Sequence, residues 1–262
     1  MDQAAVFSPV NGILSDYIAS IWTVTSGINH APYLLPPDPG FNLIFSFDSG
    51  TVVRNSSGTE CSLNSDFCTG LRTRPVTLFP SGPIDYISVQ LKPLGFRSLF
   101  GKHAEMVKDG FVDVFSLIPG VSRIRDSLCR TSLSVSDRIA IIEDLFVALL
   151  SSSCIVPPPY LKRAVTCIET TDGNIRVGEL CDDIGITARQ LQREFDRWLG
   201  VSVKFYMRVV RFNRALELLE TQAGNPDLAD LSLSLGYYDQ SHLCSDFAEL
   251  AGLSPSRIPG TE

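Results

Sequence analysis

Residues 177–202 of this chain recur at 228–254, and that duplication limits the possible folds more than any other feature. Val177, Leu180, Cys181, Ile184 and Gly185 reappear 51 residues later as Leu228, Leu231, Ser232, Leu235 and Gly236. After one added residue, Leu191, Phe195, Gly200 and Ser202 reappear 52 residues later as Leu243, Phe247, Gly252 and Ser254. Each copy reads as helix, turn, helix: a small residue four before the turn glycine lets two helices approach, and the glycine accepts the tight bend between them. Between the copies, Tyr206, Val209, Val210, Leu216 and Leu219 fall at helical spacing, which predicts one longer helix over 203–220.

A length of 262 residues suggests two domains, each able to bury its own core. Pro157-Pro158-Pro159 follows a serine run and cannot continue a helix, so it marks the boundary. The expected division is an N-terminal domain over 1–156, a proline linker over 157–159 and an all-α domain over 160–262. Before the prolines, apolar stretches at 18–24, 42–47, 76–79 and 86–91 are cut by Gly, Pro, Asn and Ser, the pattern of an antiparallel sheet closed as a barrel or sandwich. Helical patterns at 123–129 and 136–150 trail this sheet, making the chain α+β. With 44% apolar and 19% charged residues, it is neither disordered, collagenous nor a coiled coil. Residues 139–150 are too short for a membrane span and carry Glu143 and Asp144, so no membrane partner is expected. No basic region followed by an apolar run stands at the start, and a cytoplasmic address is expected.

A net charge of −7 opposes nucleic acid as a partner until the distribution is considered. From Ile186 to Arg214 seven basic residues (Arg189, Arg193, Arg197, Lys204, Arg208, Arg211 and Arg214) face two acidic ones, giving 7 − 2 = +5. From Ala215 to Glu262 one basic residue faces eight acidic ones, giving 1 − 8 = −7. In the first copy, Thr187 and Gln190 read as a capping box that starts the second helix. Ala188, Leu191, Phe195 and Trp198 then share one arc, and Arg189, Gln192, Arg193 and Asp196 share another. Arg and Gln make bidentate contacts to guanine and adenine edges in the major groove, so Arg189, Gln192 and Arg193 form a candidate base-reading set, and Thr187 and Gln190 complete the DNA-binding candidates of this helix. Arg197, Lys204, Arg208 and Arg211 are candidates for the DNA backbone.

Residues 160–258 resemble the tandem helix-turn-helix domain of the AraC/XylS family of bacterial transcription regulators. The resemblance rests on Leu180-Cys181 with Gly185, Leu191-Gln192-Arg193-Glu194-Phe195, Gly200-Val201-Ser202, and Arg211 with Ala215 and Leu218-Leu219. Above all it rests on Gly236-Tyr237-Tyr238-Asp239-Gln240-Ser241-His242-Leu243, followed by Phe247 and Gly252-Leu253-Ser254-Pro255. It implies double-stranded DNA as partner, read by two recognition helices in adjacent major-groove segments about 34 Å apart. Carried over by position, these helices begin near Thr187 and Gln240. The second would present Gln240, Ser241, His242, Cys244 and Ser245, a weaker set because family members commonly carry a basic residue where this chain has Ser245 and a small apolar one where it has Ser232.

Tyr33-Leu34-Leu35-Pro36-Pro37-Asp38 leading into Asn42-Leu43-Ile44-Phe45, with Val89-Gln90-Leu91-Lys92-Pro93-Leu94-Gly95-Phe96, resembles the cupin-like sensory domain of the same family. That implies a β-barrel able to hold a small-molecule effector, for which Trp22, Phe45, Phe79 and Tyr86 are pocket candidates. Arg72 and Arg74 read either as anchors for an acidic effector or as exposed loop arginines. His30 and His103 stand far apart with no His-x-His pair, seven cysteines form no Cys-x-x-Cys, and no nucleophile-elbow or phosphate-loop pattern occurs. No metal, cofactor or enzymatic activity is therefore expected. The reading is a sequence-specific transcription regulator controlled through its first domain, with a homodimer and RNA polymerase as candidate partners. The alternative is a ligand-binding or protein-interaction module whose second helix-turn-helix has become a partner surface.

Overall fold

A computed structural model describes residues 3–27, 32–47, 51–55, 60–63, 66–80, 82–118, 120–129, 133–221 and 227–258. The strands are β1 (Gln3–Phe7), β2 (Ile18–Ser26), β3 (Tyr33–Leu35), β4 (Phe41–Ser46), β5 (Thr51–Asn55), β6 (Glu60–Leu63), β7 (Phe67–Thr69), β8 (Val76–Pro80), β9 (Ile84–Leu91) and β10 (Phe111–Asp113). They pair antiparallel in two sheets, ordered β1-β2-β9-β4-β7-β10 and β3-β8-β5-β6. The barrel expected from the short apolar stretches takes the form of these two facing sheets. The four stretches read from sequence are β2, β4, β8 and β9; the remaining strands have only three to five residues, too few for a clear period.

Strand alternation divides the larger sheet into two unlike faces. Phe41, Leu43 and Phe45 of β4, with Ile87, Val89 and Leu91 of β9, are fully or almost fully buried on one face. That face is covered by helices α1 (Gly95–Phe100) and, beyond the short α2 (Val114–Leu117) and α3 (Val121–Leu128), by α4 (Val135–Ser153). Phe41 stacks on Phe96 of α1 at 5.1 Å between centroids. The residues between them, Asn42, Ile44 and Ser46 of β4 and Tyr86, Ser88 and Gln90 of β9, face the smaller sheet across an open space. A capping box between Ser134 and Asp137 starts α4. At the sheet end, Asp66 accepts hydrogen bonds from the Ser46 amide and Arg125, and the guanidinium groups of Arg125 and Arg138 both lie over the Phe47 ring.

Pro158 and Pro159 begin the next helix, because proline at the first helical position loses no needed hydrogen bond. The C-terminal part then consists of α5 (Pro159–Thr170), α6 (Val177–Ile184), α7 (Ala188–Leu199), α8 (Val203–Thr221), α9 (Leu228–Ser234) and α10 (Gln240–Leu250). The repeat is thus α6–α7 and α9–α10, joined by α8. Its turn glycines Gly185 and Gly236 have φ of 72° and 74°, the left-handed region that a side chain would strain. One buried cluster runs without interruption from Leu14 through the sheets and helices to Val210. A second gathers Phe212, Leu219, Leu243 and Phe247 around the second unit.

Candidate nucleic-acid interface

In α7 the apolar arc packs much as its spacing requires. Leu191 and Phe195 are fully buried, Trp198 is 3% exposed, and Phe195 meets Tyr206 of α8 edge-to-face at 5.7 Å. Ala188, at the start of the helix, is exposed instead of packed. Thr187 caps the helix by accepting the Gln190 amide at 3.2 Å. Arg189 and Arg193 are exposed, and neither has a hydrogen-bond or ion-pair partner among the described residues. Gln192 differs from its expected role: its Nε2 donates to Asp196 at 2.7 Å and its Oε1 accepts the Val203 amide at 3.4 Å. The side chain therefore ties α7 to the start of α8 and is not free to read a base.

The four backbone candidates separate in the same way. Lys204 is exposed, and Arg197, part-exposed, pairs with Glu194 at 3.5 Å. Arg208 is committed: its Nε donates to buried Asp246 at 2.7 Å and its Nη1 to Glu249 at 3.0 Å, stapling α8 to α10. These carboxylates raise the guanidinium's pKa. Arg211 donates to the Gly173 carbonyl at 2.7 Å and lies over the Tyr237 ring. Both arginines bind the molecule to itself, and Arg214 pairs with Glu217 at 2.8 Å and Asp172 at 3.8 Å, so the expected basic stripe narrows to Arg189, Arg193, Arg197 and Lys204. Sequence reasoning could not detect this, because the partners of Arg208 lie 38 and 41 residues away.

Asp239 caps α10 by accepting the His242 amide at 2.8 Å. His242 turns back toward its own turn: its Nδ1 faces the Tyr238 amide at 3.4 Å, and its ring packs edge-on against Tyr237 at 5.2 Å. Gln240, Ser241 and Ser245 are exposed and Cys244 is half-buried. Beyond Gln240 at its start, the outward face of α10 thus carries the short side chains of Ser241, Cys244 and Ser245.

The N-terminal domain touches the first unit and the joining helix α8 away from these faces. Gly200, with φ of 73°, lets the end of α7 approach the backbone of Ala104 and Glu105, where a Cβ would be crowded. Arg97 of α1 lies over Trp198. Asn213 of α8 donates to the Pro37 carbonyl at 3.0 Å. A cavity of about 450 Å³ lies between the sheets and α5, edged by Lys92, Lys162 and Glu169. Burial raises the Glu169 carboxyl's pKa, while the Tyr206 hydroxyl and Lys92 pull it down.

Of the effector-pocket candidates, Trp22 and Tyr86 line a second cavity of about 290 Å³ between the two sheets. Phe45 does not, because the period of β4 places it on the helix-covered face, and Phe79 is likewise outside the lining, which its neighbour Leu78 reaches. Arg72 is the residue whose character changes most: it is 6% exposed and borders this cavity. No group of three or more His, Cys, Asp or Glu among the described residues is arranged to hold a metal ion; His30 lies outside those residues.

Residues 180–258 match a family model described as a helix-turn-helix domain, and residues 8–113 match a domain of unknown function, DUF6597. The C-terminal part thus carries a helix-turn-helix domain of the AraC type. The invasion protein InvF of Salmonella typhi is 30% identical over 90 residues, covering 34% of this chain and 40% of InvF. The Msm operon regulatory protein of Streptococcus mutans is 28% identical over 122 residues, 45% of this chain and 42% of that protein. The chain therefore spans about 40% of the length of these curated relatives. The fold extends further: unsaturated fatty acid bound ToxT from Vibrio cholerae superposes with a TM-score of 0.51 at 10% identity, covering 100% of this chain and 98% of ToxT. The shared fold thus includes the N-terminal sheets as well as the tandem units.

Proposed function

We propose that the protein is a sequence-specific DNA-binding transcription regulator in which α7 and α10 enter adjacent major-groove segments. The observation that carries this reading is the pair Arg189 and Arg193, one turn apart on the outer face of a capped and well-packed helix, with no partner among the described residues. Arginines held in that way are available for guanine edges. Arg197 and Lys204 extend the same positive surface toward phosphates, and α10 contributes position more than base preference.

The division into 1–156 and 160–262 assigns control to the N-terminal domain and DNA binding to the C-terminal one. A small-molecule effector is supported by the cavity between the sheets and by the fold shared with ToxT, whose structures include complexes with an unsaturated fatty acid and with a naphthalenyl butenoic acid. Among the described residues no helix is long and apolar enough to cross a membrane. A cytoplasmic address and a non-enzymatic role are part of the proposal. A homodimer and RNA polymerase are the proposed protein partners. Selection of binding sites from random DNA by the purified chain, followed by salt titration of the selected site, tests the reading. A specific site bound at least about 10³-fold more tightly than random DNA is expected; equal affinity for all sequences overturns it.

A further inference from the structure

The space between the two sheets has mostly apolar walls, formed by Trp22, Val24, Ile44, Phe67, Leu78 and Phe111. One charged group of unusual situation borders it. Arg72 is 6% exposed; its Nη2 donates to the Pro36 carbonyl at 3.0 Å and its Nη1 faces Thr69 Oγ1 at 3.4 Å, but its Nε has no acceptor. Among the described residues no carboxylate lies within ion-pair distance of it. Asp38 and Asp109 act on it only through space, and their oxygens are engaged elsewhere, Asp38 with the Gly40 amide and Gln90, Asp109 with Thr73. Burial lowers the guanidinium's pKa and these two carboxylates raise it, but an arginine stays protonated near neutrality. A buried cation with an unused donor and no contact anion is costly to maintain unless something supplies the anion.

We propose that the cavity between the sheets binds a small apolar monoanion, its carboxylate held by Arg72 and its hydrocarbon or aromatic body packed against Trp22, Phe67 and Phe111. This rests on the reading of the N-terminal domain as the effector domain and names the ligand class. The single guanidinium and the presence of Asp38 on the same wall set the charge at one, since a second negative group would meet Asp38. The volume of about 290 Å³ sits at the lower end of small-molecule pockets and suits a small ligand. A neutral polyol would leave the guanidinium unpaired and cover the aromatic walls poorly.

Calorimetric titration of the full chain with phenylacetate, its neutral counterpart phenylacetamide, benzoate and isovalerate tests this. Phenylacetate should bind about tenfold or more tightly than the amide, as expected for one charge-assisted contact in a buried site. Arg72→Met should abolish that preference, and Arg72→Lys should retain part of it. Ile44→Phe, which fills the space from a position outside the core, should remove binding of both, so a folding failure of Arg72→Met leaves the proposal testable. Equal binding of acid and amide, a preference that survives Arg72→Met, or no saturable binding of any of the three carboxylates at millimolar concentration overturns it. The regulator reading is judged separately by DNA selection: carboxylate binding without a preferred DNA site keeps this pocket and removes that reading, and a preferred site without carboxylate binding does the reverse.

Discussion

Arg72 and Asn213 hold neighbouring carbonyls of the same dipeptide, Arg72 donating to Pro36 and Asn213 to Pro37, each at 3.0 Å. One grips the segment from the cavity side and the other from α8, the helix that joins the two DNA-reading units. An anion on Arg72 competes with Pro36 for the guanidinium, so cavity occupancy and the seating of α8 bear on the same backbone. Asn213→Ala should therefore leave phenylacetate affinity and ligand-free DNA affinity nearly unchanged while shrinking the effect of phenylacetate on DNA affinity. DNA titrations with and without phenylacetate measure this coupling, which linkage requires to be equal in both directions. An undiminished effect in the variant places the coupling elsewhere.

The two arcs of α7 should separate cleanly by mutation. Arg189→Ala or Arg193→Ala is expected to cost about 1–3 kcal/mol of DNA binding and to relax preference at one base pair, with the melting temperature little changed. Leu191→Ala or Phe195→Ala should instead lower stability by about 2–5 kcal/mol, since both side chains are fully buried. Thermal melts alongside selected-site profiles check both. Uniform weakening across all sequences would reassign the arginine concerned to phosphate.

Arg208 is a staple, and its removal should act on stability and not on the salt dependence of DNA binding. Arg208→Met leaves Asp246, 4% exposed, without its cation, a loss of about 3 kcal/mol for a mostly buried pair. The hydrogen bond from Arg208 also holds Glu249 below its ordinary value of 4.5, outweighing partial desolvation. A carboxyl depressed in the folded state stabilises above its unfolded pKa and loses that contribution as pH falls through the folded one. The stability difference between Glu249→Gln and the unaltered chain should thus be present near pH 7 and fade below about pH 4. A steeper loss of salt dependence in Arg208→Met than in Lys204→Met would return Arg208 to the phosphate contacts.

The two units should read DNA unequally. Selected sites are expected to show one sharp segment facing α7 and one weak segment about a turn away, because the outward side chains of α10 are short and its surroundings carry net negative charge. Ser245 is exposed, and Ser245→Arg should strengthen binding and steepen its salt dependence by up to about one counterion. Weaker binding of that variant at every salt concentration, or two equally sharp segments, contradicts the asymmetry.

Separation at the proline linker offers a further measurement. A fragment over 157–262 should keep its helices and bind the selected site, but melt at a lower temperature than the full chain, because Trp198 and Gly200 lose their cover from Arg97 and from Ala104–Glu105. Circular dichroism on the fragment decides whether it folds alone, and loss of all helical signal removes the two-domain division.

What the sequence determined by itself was whatever local spacing encodes. The duplicated helix-turn-helix units, the positive-φ glycines at 185 and 236, the joining helix and the buried Leu191 and Phe195 all follow from contacts within a few residues, and periodicity reports those directly. Four of the longer strands were visible for the same reason, whereas α1, six residues long, was not. The tertiary structure decided which face of each strand turns to the cavity, placing Ile44 there and Phe45 in the core although both are apolar. It also decided the fate of charged side chains: Arg72 becomes a buried cavity wall, Arg208 and Arg211 become internal fasteners, and Arg189 and Arg193 stay exposed. A charge is spent or left available according to what the fold brings within about 3 Å of it, and those partners lie tens of residues away in sequence.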